Sequence, residues 1–73
     1  MNIKEIWDSL SPLNRSEIML ALQKKGASYS AAWCWCNGTR TPRKFFRPQI
    51  VAIINTVTKS KYTEADLWPD CES

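Results

Sequence analysis

The chain has 73 residues, of which 44% are hydrophobic and 23% charged, and its formal net charge is +3. A chain of this size and composition folds as one small domain, so we expect a single domain over residues 1–73, with a flexible tail at its last few residues. No stretch approaches the roughly 18 apolar residues of a membrane span and the N-terminus has no secretory-signal layout, so we expect a cytoplasmic protein with no membrane partner.

Positive charge is concentrated in one short segment. Residues 39–48 hold four basic residues and no acidic residue, whereas residues 49–73 carry more acidic than basic residues. The basic residues of the segment are Arg40, Arg43, Lys44 and Arg47. Such a cluster indicates contact with a polyanion, although it also occurs on ordinary solvated loops.

The residue types argue against catalysis and against a metal site. The chain has no histidine and three cysteines, Cys34, Cys36 and Cys71. An odd number of cysteines does not close a disulfide framework, and Cys34 with Cys36 lacks the further ligands that zinc needs. A nucleophilic thiol would also lack its usual activating partner. We therefore expect packing thiols, no enzymatic activity, no cofactor and no small-molecule substrate.

Apolar spacing and capping signals predict the first two helices. The first carries an apolar stripe at helical spacing, formed by Ile3, Ile6, Trp7 and Leu10. Pro12 is expected to end it. The second helix is expected to start with Asn14 as N-cap and Glu17 as its capping-box partner, with Leu13 and Ile18 as a hydrophobic staple.

Glycine and serine mark the next boundaries. Lys24 and Lys25 suit the end of the second helix, and Gly26 suits the position just beyond it. Ser28 is expected to cap a short third helix, which Asn37-Gly38 would end. The main side chains of that helix are Tyr29, Ala32, Trp33, Trp35 and Cys36.

The rest of the chain predicts two more helices. Residues 39–47 form a basic connector, and Pro48 suits the first position of a fourth helix. The inward stripe of that helix is Ile50, Ile53, Ile54 and Val57. Residues 63–66 start a very short fifth helix, closed by Pro69, and Trp68 is expected to fold back onto the core. No segment alternates with period two, so the expected fold is all-α, a compact bundle of about five short helices.

Three stretches resemble known DNA-binding regulators. Residues 17–32 read as helix, glycine turn and serine-capped helix, the outline of a helix-turn-helix unit. Residues 35–42, Trp-Cys-Asn-Gly-Thr-Arg-Thr-Pro, resemble the end of the recognition helix in lambda-repressor-like regulators, and residues 65–69 resemble their last helix. Residues 15–26 and the closing Trp-Pro resemble the Ner-like regulators of Mu-type phages.

The resemblance implies a function and a partner. It covers residues 15–69 and implies a sequence-specific transcriptional regulator, of the phage or prophage Cro or repressor type, that binds double-stranded operator DNA. Because one domain of this size contacts only one half-site, a homodimer on DNA is implied as well.

The two family patterns place the recognition helix differently. In the lambda-repressor-like pattern residues 28–36 are the recognition helix, with Ala32 and Trp35 pointing inward. Its groove-facing residues would be Tyr29, Ser30, Trp33 and Cys34. In the Ner-like pattern residues 28–37 are the first helix of the unit, and a short recognition helix starting near Thr41 carries Arg43 and Lys44. We favour the first pattern, because the second leaves barely one helical turn between Pro42 and Pro48.

The favoured pattern implies a set of DNA contacts. Ser28, as N-cap, would leave the first helical amides free to meet a phosphate, while Tyr29 and Ser30 would contact base edges. Trp33 would stack on a sugar or a thymine methyl group or lie in a dimer contact, unless it belongs to the core. The remaining candidates, which would anchor the DNA backbone, are Asn37, Thr39, Arg40, Arg43 and Lys44. One of the arginines could also specify a guanine.

A protein-interaction module is the alternative function. Such a module, for example a phage-encoded inhibitor or an antitoxin, would use the aromatic surface of Trp33, Phe45 and Phe46 to bind its partner.

Overall fold

The computed structural model describes residues 2–69, and helices account for most of that stretch. The five helices are α1 (Ile3–Ser9), α2 (Pro12–Lys24), α3 (Tyr29–Cys36), α4 (Phe46–Thr58) and α5 (Glu64–Leu67). The described part of the chain contains no strand, which confirms the expected all-helical class. The expected C-terminal tail and Cys71 lie outside the described residues. Over residues 2–69 no helix combines the length and apolarity needed to cross a membrane.

The helices enclose one apolar core. α2 packs against α3 and α4, α1 packs against α3 and α5, and α4 packs against α5. The side chains that are less than 2% exposed include those of Ile18, Leu22, Ile50, Ile54, Leu67, Pro42 and Cys36. Three of the four tryptophans, Trp7, Trp35 and Trp68, are also buried. The burial of Trp68 confirms that the residue after α5 folds back onto the core.

The junction between α1 and α2 differs from the expectation. Asn14 is not the N-cap, because Ser11 holds that position and its hydroxyl accepts the backbone N–H of Asn14 at 3.2 Å. Pro12 occupies the first turn of α2, where its missing N–H costs nothing, so it starts the second helix as well as separating it from the first. Leu13 is 69% exposed and forms no staple with Ile18, which is buried in the core.

The turn between α2 and α3 follows the predicted signals. Lys25 is the C-cap and Gly26 adopts a φ of +103°, a left-handed conformation that favours glycine. The N–H of Ala27 donates to the carbonyl of Leu22 at 3.2 Å, which closes a Schellman motif and turns the chain sharply. Ser28 then caps α3 by accepting the N–H of Ala31 at 3.1 Å. The two helices are thus joined by a turn of fixed geometry.

The end of α3 is closed in a similar way. Asn37 is the C-cap and Gly38 has a φ of +81°, as the sequence signal predicted. The N–H of Thr39 donates both to the carbonyl of Cys34 at 3.0 Å and to Oδ1 of Asn37 at 2.9 Å. The backbone of Gly38 lies close to α1, so that a Cβ there would be 3.1 Å from Cβ of Lys4.

α4 begins two residues earlier than predicted. Phe46 rather than Pro48 is its first residue, and Phe45 occupies the N-cap position without a capping side chain. The carbonyl of Arg43 accepts the N–H groups of Phe46 at 2.9 Å and of Arg47 at 3.2 Å, which extends the helical pattern toward the connector. Pro48 therefore lies within the first turn, a position that tolerates its missing N–H.

Asn55 holds the chain in place between α4 and α5. Lys59 ends α4 with a φ of +57°. The amide of Asn55 donates to the carbonyl of Tyr62 at 3.0 Å and accepts its N–H at 2.8 Å. Thr63 and Asp66 then form a capping box at the start of α5, where the sequence predicted a short helix.

Candidate nucleic-acid interface

The inward and outward faces of α3 are those expected for the lambda-repressor-like pattern. Ala32, Trp35 and Cys36 are buried, so the predicted inward positions of Ala32 and Trp35 are confirmed. The predicted groove-facing residues Tyr29, Ser30 and Trp33 are exposed, while Cys34 is half-buried. α3 therefore presents Tyr29 and Ser30, at its N-terminal end, to solvent.

A depression at the N-terminal end of α3 brings several predicted contacts together. Ser28, Arg40 and Arg43, which are up to fifteen residues apart in the chain, all line it. We call it the basic depression, and its lining residues are Gly26, Ala27, Ser28, Ala31, Trp35, Arg40, Thr41, Arg43 and Phe46. Its floor is apolar, because Trp35 is buried and Phe46 packs against it with the ring centroids 4.9 Å apart.

The helix end at the depression has unused donors. The hydroxyl of Ser28 accepts the N–H of Ala31, and the carbonyl of Ser28 accepts the N–H of Ala32. The N–H groups of Tyr29 and Ser30 have no acceptor among residues 2–69. Such N–H groups at the first turn carry the positive end of the helix dipole and attract anions.

The charges around the depression are of one sign. Arg40, Arg43 and Lys44 are exposed, and the single ion pair among residues 2–69 joins Lys4 to Asp8 on α1 at 2.9 Å. The chain has no acidic residue between Glu17 and Glu64. The basic residues in that interval are Lys24, Lys25, Arg40, Arg43, Lys44, Arg47, Lys59 and Lys61. The carboxylates of the described residues thus belong to α1, α2 and α5.

Arg47 has a different role from the other basic residues of its segment. It is half-buried, and its Nε donates to the carbonyl oxygen of Pro42 at 3.0 Å. Pro42 itself is less than 2% exposed. This contact holds the connector against the start of α4 and so fixes where Arg40 and Arg43 project. The charge count of the segment could not distinguish this positioning residue from the exposed arginines.

Trp33 and Tyr29 lie on the other flank of α3. They line an apolar groove together with Trp7, Met19 and Leu20. Trp33 is 44% exposed and packs edge-on against Trp7, with centroids 6.0 Å apart. The indole of Trp33 thus covers part of the core while its outer edge meets solvent. The side chains predicted to contact DNA are thus divided between two places. Tyr29 and Trp33 line this groove, whereas Ser28, Arg40 and Arg43 line the basic depression.

The other predicted contacts lie after α3. Asn37 is half-buried and its side-chain oxygen is used by the N–H of Thr39, so it shapes the helix end. Thr39 and Lys44 are exposed. The Ner-like expectation of a recognition helix near Thr41 is wrong, because residues 41–43 are not helical and Lys44 lies in a turn. The burial of Pro42 and its contact with Arg47 hold this stretch in a non-helical path.

The thiols on α3 sit in a packing environment. Burial raises the pKa of the Cys36 thiol to about 12, so the group is neutral at physiological pH. Over residues 2–69 no three His, Cys, Asp or Glu side chains cluster in a way that could hold a metal ion. Cys36 therefore acts as a small apolar side chain that packs in the core at the end of α3.

Comparison of the chain with models of protein families, with curated proteins and with solved structures gives no significant match in any of the three. A function for the site is thus inferred from its geometry and its charge. A helix end with unused amides, two exposed arginines and an apolar floor suit a phosphate-bearing polymer better than a small apolar ligand.

Proposed function

We propose that the protein is a sequence-specific transcriptional regulator that binds double-stranded DNA, with α2 and α3 as a helix-turn-helix unit and α3 in the major groove. One observation carries the proposal. Ser28, Arg40 and Arg43 converge on the basic depression at the N-terminal end of α3. This places helix amides and positive side chains side by side, as contact with a DNA backbone requires.

The geometry of α3 supports its role as the reading element. A helix of eight residues is about 12 Å long and fits the major groove of B-form DNA. Ser30 and Tyr29 are exposed at its first turn and carry hydroxyl groups that can donate to or accept from base edges. The Schellman turn before Ser28 fixes the angle between α2 and α3, so α2 would lie across the backbone while α3 enters the groove.

The phosphate contacts would come from both sides of the basic depression. The N–H groups of Tyr29 and Ser30 would hold one phosphate, and the guanidinium groups of Arg40 and Arg43 would hold the same or the next phosphate along that strand. Lys44 would add a longer-range attraction. Each neutralised phosphate releases counterions, so binding would weaken steeply as salt rises.

Two copies of the chain would bind one operator. A single α3 can reach only a few base pairs, and pairing two domains about a twofold axis doubles the sequence that is read. We therefore propose a homodimer on a two-fold symmetric DNA site, with the two α3 helices about one helical turn of DNA apart, roughly 34 Å.

A protein-interaction module is the second candidate function. The observation that favours it is the apolar groove beside α3, where Leu20 is 55% exposed and Tyr29 is 61% exposed. Trp33 and Trp35 lie on different sides of α3, however, and Phe46 packs with Trp35. An inhibitor or antitoxin of this kind would thus use Trp33 with Leu20, and not one surface that also includes the two phenylalanines.

The decisive experiment is duplex binding at two salt concentrations, with the DNA flanking the protein's own gene compared against random duplex. Arg43→Ala should weaken binding by about tenfold or more and reduce the slope of log affinity against log salt by about one. Lys61→Ala, which removes the same charge from an exposed site before α5, is the matched control and should stay close to wild type.

The outcomes separate the two functions. Absence of any preference for the flanking duplex, or equal effects of Arg43→Ala and Lys61→Ala, would reject the regulator. A partner whose binding is lost in Leu20→Ala, is nearly indifferent to salt and is untouched by Arg43→Ala would establish the interaction module instead.

A further inference from the structure

Phe45 is the most exposed large apolar side chain among residues 2–69, at 70%. It lies in the turn between Lys44 and the start of α4, where the proposed major-groove contacts do not use it. Leaving an aromatic ring in water is unfavourable, because its burial would gain about 2 kcal/mol. Phe45 differs from the equally exposed Leu13 in its position, because it lies within the basic segment and directly follows Arg43 and Lys44.

The ring is held on a rigid base. It packs edge-on against Phe46, with centroids 5.3 Å apart and the planes at 82°, and Phe46 in turn packs on Trp35. Nε2 of Gln49 donates to the carbonyl oxygen of Phe45 at 3.2 Å. The preceding connector is held by the contact of Arg47 with the Pro42 carbonyl. Phe45 is thus preorganised to project outward, and little conformational entropy would be lost when it binds.

The surrounding charge identifies the kind of occupant. Phe45 directly follows Arg43 and Lys44, both exposed, and no acidic residue occurs from 18 to 63. A second copy docked symmetrically through Phe45 would place these cations against their own counterparts. A single ring also buries far less than the roughly 800 Å² per partner of a stable protein interface. The complementary surface is therefore negatively charged and offers apolar spaces for the ring. Duplex DNA has both features, because its phosphates carry the charge and an apolar side chain can enter between its stacked bases.

We propose that Phe45 is an inserting side chain that enters the minor groove beside the major groove occupied by α3, partly unstacks a base step and bends the duplex. This inference rests on the proposed DNA-binding function. Exposed apolar side chains that wedge between base steps bend DNA by roughly 20–90°. The contacts fit this placement, because Arg40, Arg43 and Phe46 line the basic depression at the N-terminal end of α3 and Phe45 packs against Phe46.

The insertion adds a source of specificity that involves no hydrogen bond to a base. Pyrimidine–purine steps such as TA and CA unstack most easily, so the protein favours operators with such a step beneath Phe45. Replacing that step with a stiff A-tract should weaken binding to the wild-type protein and leave binding to Phe45→Ala almost unchanged.

The test measures affinity and DNA bending together, using a duplex that carries the operator and a fluorescent donor and acceptor at its two ends. The variants are wild type, Phe45→Ala, Phe45→Leu, and Leu13→Ala as matched control, since Leu13 is equally exposed at 69% on α2. Phe45→Ala should bind about fivefold to tenfold more weakly and leave the duplex straight. Phe45→Leu should keep most of the bend, and Leu13→Ala should match wild type.

Each outcome has a separate meaning. If wild type binds specifically but leaves the duplex straight, or if Phe45→Ala bends it fully, the insertion is overturned while the proposed regulator stands. If wild type binds no duplex, both fail. Dimerisation of the DNA-free protein that is lost only in Phe45→Ala would also overturn the insertion, because it would make the ring a protein contact.

Discussion

Arg15 of α2 closes the C-terminal end of α1 by donating from Nε to the carbonyl oxygen of Trp7 at 3.0 Å and from Nη2 to that of Asp8 at 3.1 Å. The guanidinium carbon also lies 5.7 Å from the centre of the Trp7 ring. The last carbonyls of a helix have no partner inside it, so a charged fork that binds two of them stabilises the helix and joins the two helices.

We therefore expect Arg15→Lys to lower the free energy of unfolding by about 1–2 kcal/mol, because an ammonium group cannot reproduce the planar fork. Urea denaturation followed by tryptophan fluorescence measures the change. Arg43→Lys is the control, since Arg43 is exposed and its side chain donates no hydrogen bond within residues 2–69. Equal stability of the two variants would contradict the proposed role of the Arg15 fork.

Ser28 can be used to separate folding from DNA binding. Ser28→Ala removes the N-cap of α3 and should cost about 1 kcal/mol of stability. Ser28→Asp keeps a good cap and favours the helix dipole, so its thermal unfolding midpoint should stay near that of wild type. The added carboxylate would face the phosphates beside Arg40 and Arg43, and DNA affinity should fall at least tenfold. Retained DNA binding by Ser28→Asp would argue against a phosphate at this helix end.

The two glycines should differ in their tolerance of a side chain. Both have positive φ, so replacing either by alanine should cost about 1–2 kcal/mol. A Cβ at Gly38 would also lie 3.1 Å from Cβ of Lys4, whereas a Cβ at Gly26 would meet nothing within 4 Å. Gly38→Ala should thus lose more stability than Gly26→Ala in the same urea titration. The reverse order would show that α1 moves away from Gly38 at little cost.

Cys36 should make stability fall at alkaline pH. In the folded chain burial raises the pKa of its thiol to about 12, while an unfolded thiol ionises near pH 8.5. Between these values the unfolded state has lost the proton that the folded state keeps, so the free energy of unfolding decreases as pH rises. Below about pH 8 both states are protonated and the thiol contributes no pH dependence.

The comparison that isolates this effect is the change in unfolding free energy between pH 7 and pH 10.5, for wild type and Cys36→Ala. The variant should be less stable at pH 7, because it leaves a small cavity in the core. Its further loss on going to pH 10.5 should nevertheless be smaller than that of wild type. An identical loss in both proteins would show that the Cys36 thiol is not protected by burial.

Local signals explain which helix boundaries could be predicted. The helix boundaries at Gly26 and Ser28 were predicted correctly. Gly26 acts through its own backbone conformation, and Ser28 acts by accepting the N–H of the residue three positions later. The start of α2 was predicted at the wrong residue because two N-cap signals lie close together in the sequence. Ser11, followed by Pro12, forms the N-cap, and Asn14 does not. The start of α4 had no local signal, because Phe45 has no capping side chain.

The candidate site depended on contacts that spacing does not reveal. The resemblance to lambda-repressor-like regulators correctly placed Ala32 and Trp35 inward and Ser30 outward. It could not predict that Arg40 and Arg43 return to the start of α3, since their path is set by the burial of Pro42 and by the Arg47 contact. The split of the predicted set into two flanks also follows from packing, which places Trp33 on Trp7.

The concentration of basic residues in one interval of the chain has a kinetic consequence. The carboxylates of the described residues lie on α1, α2 and α5, whereas eight of the ten basic residues lie in the acid-free interval between Glu17 and Glu64. Near a polyanion, within the roughly 10 Å over which charges act at 0.1 M salt, the chain would turn its cationic side forward before contact. A larger fraction of collisions with DNA would therefore lead to binding than if the protein approached in random orientations. The association rate would accordingly decline as salt is added.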